Sequence, residues 1–533
     1  MKRLLYIAVL AGVCLFSNSC SDMLNIESKT DITTSYIFNS KHGLESAVVA
    51  LYYQDRFMAS ENNNYEFIIP MLDYSTDLMI FRGGTAAGAA RLDTQSPSDA
   101  WFLRYWTNNY AVIGKANEIV AAAEKLGLDD PDVKYAYAEA KCLRGRAYFL
   151  LWQKFERLYL NTEPTTLDNA FGREFRAASN EQILTQIKAD LDAAIETLDW
   201  TCRNEEYGRM TKAVAKHIRA QVAMWEKDYD TAIRQCEDIF SNSNYGLLPK
   251  IEEVFAGADL RHKEVLYAYQ FSENPGGGGM ITDGVFYGHY VGRDTTPNYS
   301  KLSGLSDCME YGAHGAGRIY PNSYLLSLYD QAKDKRYTEW FRHKLYYNDP
   351  AQVPEGKKLG DEVVAPAANY LECAHPSSLK YFDKWTRVDR PTMVTSFKDL
   401  IVYRLAETYL MCAEAYFHRD GASSAKAIEY FNKTWERAGN DHFNGPLTLD
   451  ILIDEYAREL HFEGVRWPLL KRLGILGDRV RAHSGDTKAD DPKLNKDFTE
   501  ARRNFKDNRD VRWPIPQSIL DLMPGYGQNE GWY

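Results

Sequence analysis

The sequence has 533 residues, of which 45% are hydrophobic and 26% are charged, as in an ordinary globular protein. Its formal net charge of −11 disfavours a broad basic surface, so nucleic acid is not an expected partner. The 36 Tyr, 23 Phe and 11 Trp residues exceed what packing usually requires, and we expect some of them to form a binding surface.

The N-terminus has the pattern of an export signal. Two cations precede an apolar run at residues 4–16, which is too short to span a bilayer. Residues 1–19 are therefore predicted to be a signal peptide, and residues 20–40 a polar tether. The small residues before position 20 suit either ordinary secretion or lipoprotein processing. We expect lipidation at Cys20, and attachment to a membrane would then depend on that lipid.

Helical periodicity dominates residues 41–272. Helix starts are marked by Asp130 followed by Pro131, and by Ser179 with Gln182 in the pattern of a capping box. The apolar stripes of these helices are expected to be core and not ligand sites. The predicted helices cover residues 41–58, 98–126, 131–158 and 180–198.

Two predicted helical hairpins, at residues 211–240 and 400–439, resemble each other. Ala223-Met224-Trp225 aligns with Ala415-Tyr416-Phe417. In the second helices, Ala232-Ile233 with Cys236 and Phe240 aligns with Ala427-Ile428 with Phe431 and Trp435. Chance similarity between two amphipathic hairpins is the alternative. We predict a mainly α fold, a tetratricopeptide-like superhelix of helix pairs with a loop-rich ligand-binding part inserted.

Two stretches interrupt the helical pattern with Gly and aromatic residues. The first is residues 73–101, and the second begins the loop-rich insertion at residues 273–396, which precedes the C-terminal part at 397–533. Four glycines at 276–279 are not followed by the Lys and helix of a phosphate-binding loop. Because binding residues concentrate on loops carried by a rigid scaffold, both stretches are candidate ligand loops.

Several motifs carry a resemblance to a known family over essentially the whole chain. The most specific are Arg404-Leu405-Ala406-Glu407, Arg458-Glu459-Leu460-x-Phe462-Glu463-Gly464-x-Arg466-Trp467 and Trp513-Pro514-Ile515-Pro516-Gln517. With these motifs the chain resembles the SusD/RagB glycan-binding lipoproteins, which partner TonB-dependent transporters of the outer membrane. Four positions differ from the usual family residue and affect local salt bridges, not the fold: Tyr456, Leu469, Ile519 and Met523.

The resemblance implies a cell-surface, lipid-anchored protein that captures oligosaccharides and delivers them to a SusC-like transporter, acting as its lid. It implies no catalysis. The 11 His residues have no metal-like spacing, and no cofactor is expected. Capture of peptides or glycopeptides by the same architecture is the alternative, and a secreted helical glycoside hydrolase is a third. The hydrolase is disfavoured because no catalytic motif is present and because Glu455, Glu459 and Glu463 have Arg neighbours, which lower a carboxyl pKa.

Sugar rings stack on aromatic planes, and their hydroxyl edges bond to planar polar groups. In the family, stacking residues come from loops in these two regions, so their aromatic and polar residues are the predicted ligand contacts. Trp101 and Tyr287 are the preferred stacking residues. The first loop offers Asp73, Asp77, Phe81, Arg82, Arg91 and Trp101, and the second offers Phe286, Tyr287, His289, Tyr290, Arg293 and Tyr299.

Overall fold

The computed structural model describes residues 37–57, 59, 75–83, 87–166, 169, 175–274, 277, 304–305, 318–365, 370–386 and 396–532. Helices dominate these residues, and the described strands form two-stranded sheets. The mainly α, tetratricopeptide-like fold class predicted from the sequence is confirmed.

The helices are α1 (Lys41–Phe57), α2 (Ala87–Arg91), α3 (Ala100–Leu126), α4 (Pro131–Phe155), α5 (Asn180–Thr197), α6 (Lys212–Glu226), α7 (Tyr229–Phe240), α8 (Ser323–Ser327), α9 (Lys335–Glu339), α10 (Tyr370–Cys373), α11 (Leu405–Asp420), α12 (Ala425–Trp435), α13 (Leu449–Leu460), α14 (Arg466–Arg472), α15 (Leu476–His483), α16 (Glu500–Asn504) and α17 (Gln517–Leu522). The strands are β1 (Met79–Phe81), β2 (Val265–Tyr269), β3 (Ile319–Pro321), β4 (Phe341–Arg342), β5 (Ser377–Ser378) and β6 (Leu400–Arg404). Short 3₁₀ turns lie at Arg203–Glu205 and Ile251–Glu253.

The predicted helix ends are largely confirmed. Asp130 caps α4 by accepting a hydrogen bond from the backbone N–H of Asp132, with Pro131 at the first helical position. Ser179 and Gln182 form the predicted capping box at α5. At α3 the capping position is Asp99, whose carboxylate instead accepts from the backbone N–H of Ser96 at 2.8 Å.

The two similar hairpins, α6 with α7 and α11 with α12, pack against each other and share one apolar cluster. Phe240 of α7 stacks on Tyr409 of α11, with ring centroids 4.0 Å apart and planes 6° from parallel. Each helix from α3 to α7 packs on the next, and α7 packs on α11. Each hairpin therefore supplies an apolar surface that its neighbour needs, and the prediction of repeated helix pairs is confirmed.

One boundary prediction is wrong. Residues 400–404, expected to begin the first helix of the second hairpin, form β6 and pair antiparallel with β2. Ile401, Val402 and Tyr403 are residue types that favour strands, and β2 offers the partner Val-Leu-Tyr-Ala-Tyr. Tertiary pairing with a distant segment overrides the local helical pattern, so α11 begins only at Leu405.

The C-terminal motifs form a buried network of ion pairs. Arg404 donates from Nη1 to Oε1 of Glu459 and from Nε to Oε2 of Glu463, both at 2.6 Å. Arg336, from the loop-rich insertion, donates to Glu455 at 2.8 Å. Burial alone would raise the pKa of Glu459, but the facing arginines hold it below its ordinary value. The carboxylates pair with arginines in the interior, as the sequence indicated.

Candidate ligand-binding site

Strands β1 and β3 join the first predicted ligand loop to the loop-rich insertion. They pair antiparallel, with Phe81 opposite Ile319. Beyond the strands, the backbone N–H of Arg82 donates to the carbonyl of Arg318 at 2.9 Å. Arg318 Nη1 in turn donates to the carbonyl of Gly83 at 3.3 Å. Residues 82 and 83 of the first loop therefore lie beside Arg318 of the insertion.

The strand pair rests on a separate apolar cluster. Ile80 and Tyr320, which lie opposite each other, are fully buried against side chains of α10 and of the C-terminal segment, among them Leu494 and Phe498. The backbone N–H of Gly485 donates to the carbonyl of Met79 at 2.8 Å. The roots of both loops are thus fixed on the packed body of the protein, as preorganised binding requires.

Asp77, a predicted ligand contact, is fully buried. Arg466 donates to its two carboxylate oxygens at 2.8 and 2.6 Å, and Arg479 donates at 2.9 Å. Burial would raise the pKa of Asp77, but the two guanidinium groups hold it below its ordinary value. The prediction of a ligand contact does not agree with this burial, and the carboxylate instead joins the first loop to the C-terminal motif.

Trp101, the preferred stacking residue of the first loop, is only 8% exposed. It lies in the first turn of α3, with its ring centroid 5.9 Å from that of Phe102. Phe102 packs in turn on Trp513 of the C-terminal motif, at 5.4 Å. The helix stripe that includes Trp101 faces the core, so the ring has little surface left for a sugar. Phe81, which is 9% exposed, is also packed in the core.

The other first-loop residues that the structure describes are Arg82 and Arg91, both half-buried. Arg82 lies at the end of the strand pair, whereas the carbonyl of Arg91 accepts a hydrogen bond from Asn504 at 2.9 Å. Cys20 and seven predicted ligand contacts lie outside the described residues, and their roles stay predictions: Asp73, Phe286, Tyr287, His289, Tyr290, Arg293 and Tyr299.

Sequence reasoning missed Arg318 and the strand pair. Both strands have three residues, which is too short for an alternating pattern to be recognised. The only local signal is the apolar run Met79-Ile80-Phe81 and the Ile-Tyr pair before Pro321. Among the residues that the structure describes, no three His, Cys, Asp or Glu side chains are grouped in a way that could hold a metal ion.

Two family profiles match the chain. The profile described as the SusD family matches residues 263–532, and one described as starch-binding and associating with the outer membrane matches residues 22–224. The chain is 24% identical to SusD-like protein P25 of Formosa agariphila, over 95% of this chain and 94% of that protein.

Solved structures with the same fold cover nearly the whole chain. A SusD homolog from Bacteroides thetaiotaomicron superposes with a TM-score of 0.74 at 18% identity, covering 94% of this chain and 99% of that one. Surface glycan-binding protein A from Bacteroides thetaiotaomicron, solved in complex with laminarihexaose, has a TM-score of 0.71 at 19% identity, covering 92% and 99%.

Proposed function

Because the chain belongs to the SusD family, we propose that it captures oligosaccharides at the cell surface and delivers them to a partner TonB-dependent transporter. The observation that carries the proposal is the family match over residues 263–532, joined by the second profile over 22–224. A protein of the same fold was solved with laminarihexaose, which supports a glycan as the ligand class.

The arrangement of side chains at the end of the β1–β3 pair supports ligand capture there. Arg82 and Arg318 lie at the ends of β1 and β3, where guanidinium donors would suit the hydroxyl edges of a sugar. The second loop would add the stacking surfaces, from Phe286, Tyr287 and Tyr290, with His289, Arg293 and Tyr299 as polar contacts. Two loops held at neighbouring roots can contact one ligand from both sides.

The ion pairing of the buried glutamates in the C-terminal motif favours capture without cleavage. A glycosidase needs two carboxylates about 5 to 10 Å apart across the scissile bond, one of them with a raised pKa. The carboxylates of Glu455, Glu459 and Glu463 instead form ion pairs with arginines in the interior. The chain is therefore proposed to be a binding protein and not an enzyme.

The proposed anchor and transfer step follow from the N-terminal sequence. Lipidation at Cys20 would hold the protein on the outer membrane, and residues 20–40 would let the body move as a lid over the transporter. In the described part of the chain, no helix is long and apolar enough to cross a membrane. Contacts in an open site give modest affinity, and closure of the lid would add the remaining contacts before transfer.

The test uses the purified chain without residues 1–20 and a panel of defined oligosaccharides and peptides. Binding without new reducing ends supports capture, new reducing ends support the hydrolase, and binding of peptides alone supports the peptide alternative. Arg82→Ala and Tyr287→Ala should each weaken oligosaccharide binding. Tyr137→Ala, which removes a half-buried aromatic from α4, is the matched control and should bind like the unmodified chain.

A further inference from the structure

A cavity of about 160 Å³ lies between the N-terminal helices and the second hairpin. Its walls come from α1, α3, α4, α6, β2, β6, α11, α13 and α14. No lining residue belongs to residues 73–101 or 273–396, so the cavity is separate from the proposed oligosaccharide site. Half-buried side chains at its rim include Leu150, Trp225, Val402 and Pro468.

Two buried polar groups line this cavity without a protein partner in the described residues. The hydroxyl of Tyr105, a residue 3% exposed, makes no hydrogen bond. Gln153 is 7% exposed; Lys471 donates to its backbone carbonyl, and its side-chain amide has no hydrogen bond to the described residues. A buried hydroxyl left unpaired costs about 1 to 3 kcal/mol, so such a group calls for an occupant that bonds to it. Burial raises the pKa of Tyr105, which keeps the hydroxyl protonated as a donor.

The charged groups that line the cavity already have partners within the protein. Glu407 accepts a hydrogen bond from the amide of Gln221 at 2.7 Å, and His217 Nε2 lies 3.3 Å from its other carboxylate oxygen. Asp55 accepts hydrogen bonds from Arg146 at 2.5 Å and from Tyr269 at 2.9 Å. Arg472 donates twice to Glu414, at 2.8 Å each. A charged occupant would have to be desolvated and would compete with these partners for an opposite charge, which is costly. The cavity therefore favours a neutral molecule.

The remaining wall is apolar, formed by Leu150, Met224, Trp225, Met411, Val465 and Leu469. An apolar wall facing unpaired polar groups suits a ring that has a C–H face and hydroxyl edges. The volume suits one ring, since a cavity of roughly 150 Å³ in another protein admits benzene. About five water molecules, at roughly 30 Å³ each, would be needed to fill the same space.

We propose that this cavity binds a single neutral hydroxylated ring, either a monosaccharide unit or a cyclic polyol of that size. The hydroxyl of Tyr105 would donate to a ring oxygen or hydroxyl, and the amide of Gln153 would bond to another. The apolar face of the ring would lie against Leu150, Trp225 and Met411.

The probes are methyl α-D-glucopyranoside, methyl β-D-galactopyranoside and myo-inositol, titrated by NMR into the chain without residues 1–20 and soaked into its crystals. We expect at least one probe to occupy the cavity with an oxygen within hydrogen-bond distance of the Tyr105 hydroxyl. Tyr105→Phe and Gln153→Met should each weaken that probe about three- to tenfold, because each removes one hydrogen bond. Tyr135→Phe, which removes a buried hydroxyl outside the cavity, should have no effect.

Ordered water alone in the cavity would overturn the proposal, as would binding that neither Tyr105→Phe nor Gln153→Met changes. Uptake of phenol or indole with no uptake of the three probes would also overturn it. Arg82→Ala, at the oligosaccharide site, should leave probe binding unchanged, and Tyr105→Phe should leave oligosaccharide binding unchanged. Failure at one site is thereby distinguishable from failure at the other.

Discussion

Arg466 holds both carboxylate oxygens of Asp77 across 389 positions of sequence, with donor–acceptor distances of 2.8 and 2.6 Å. The pair joins the segment before β1 to the C-terminal family motif, and neither side chain is more than 2% exposed. It thereby fixes the strand that carries the first ligand loop.

Replacement of Asp77 by Asn should destabilise the fold and leave the chemistry of ligand binding intact. The change leaves Arg466 and Arg479 without their buried counter-charge, which typically costs about 3 to 5 kcal/mol. Urea denaturation of the purified protein measures this cost. Asp93→Asn, at an exposed position of the same loop, should change stability by less than about 0.5 kcal/mol. If the Asp77→Asn variant were as stable as the unmodified chain but no longer bound glycan, Asp77 would be a ligand contact after all.

Gly485 offers a second test of how β1 is held. Its φ of +69° and its position allow no side chain, because an added Cβ would lie 1.7 Å from the carbonyl oxygen of Phe498. Gly485→Ala should therefore cost about 3 kcal/mol or more in unfolding free energy. Gly474 has a φ of +73° but open space around it, so Gly474→Ala should cost only about 1 kcal/mol. Equal costs for the two variants would show that the backbone at Phe498 moves away from the added Cβ at position 485 without a measurable cost.

The pH dependence of the unfolding free energy should report the raised pKa of the Asp486 carboxyl. Burial raises the pKa of this carboxyl to about 6, although the N–H and hydroxyl of Ser323 both donate to it at 2.8 Å. The folded state binds this proton more tightly than the unfolded state, so the contribution of Asp486 to stability falls as pH rises from about 4 to about 6. A shift of this size corresponds to about 3 kcal/mol.

Asp486→Asn should remove that part of the pH dependence, measured as unfolding free energy at pH 4, 5, 6 and 7. Asp399, whose pKa burial also raises to about 6, should retain its own contribution in the variant. Asp497→Asn, an exposed neighbour in the same segment, is the control and should keep the original profile. An unchanged profile in Asp486→Asn would contradict the assignment.

The parts of the fold predicted correctly from the sequence are those decided by local chemistry. The capping box of Ser179 and Gln182 involves residues three positions apart, so its outcome is visible in the sequence itself. The start of α11 was misplaced because β6 depends on β2, which lies far away in the chain. Local propensity cannot report a partner of that kind.

The same reason explains why burial at the candidate site could not be predicted. Asp77 and Trp101 have the right chemistry for a sugar, but Asp77 is buried against Arg466 and Trp101 is buried beside Phe102. The two ligand loops stay a prediction from the sequence, and the pairing of β1 with β3 could not be read from two strands of three residues each.

The anchor is tested by removing the predicted lipid. Cys20→Ala should move the protein from the membrane fraction to the soluble fraction after cell breakage, since a lipid is the only attachment that the sequence predicts. Immunoblots of both fractions, and labelling of cells with an alkyne fatty acid, measure the effect. Cys202→Ala, at a half-buried free cysteine, should remain with the membrane. Retention of the Cys20→Ala variant in the membrane fraction after a carbonate wash would show an anchor other than the lipid.

Alanine variants of Trp101 and Tyr287 should distinguish a residue that packs in the core from one that binds ligand. Trp101 is 8% exposed and packs beside Phe102, so Trp101→Ala should cost about 3 to 5 kcal/mol of unfolding free energy. Tyr287 lies in the second loop, for which the sequence predicts ring stacking. Tyr287→Ala should leave the unfolding midpoint nearly unchanged and weaken oligosaccharide binding, because a stacking contact with a sugar is lost.

The comparison requires both variants to be measured by thermal unfolding and by calorimetric titration with one oligosaccharide from the panel. Mild detergent extraction followed by co-purification adds a third readout, in which Tyr287→Ala should keep the transporter partner, since the loop is proposed to face the ligand. If Trp101→Ala remained as stable as the unmodified chain and lost affinity, its ring would be a ligand surface despite its burial. If Tyr287→Ala lost the transporter while keeping oligosaccharide affinity, the second loop would be part of the transporter interface, and the proposed lid orientation would be reversed.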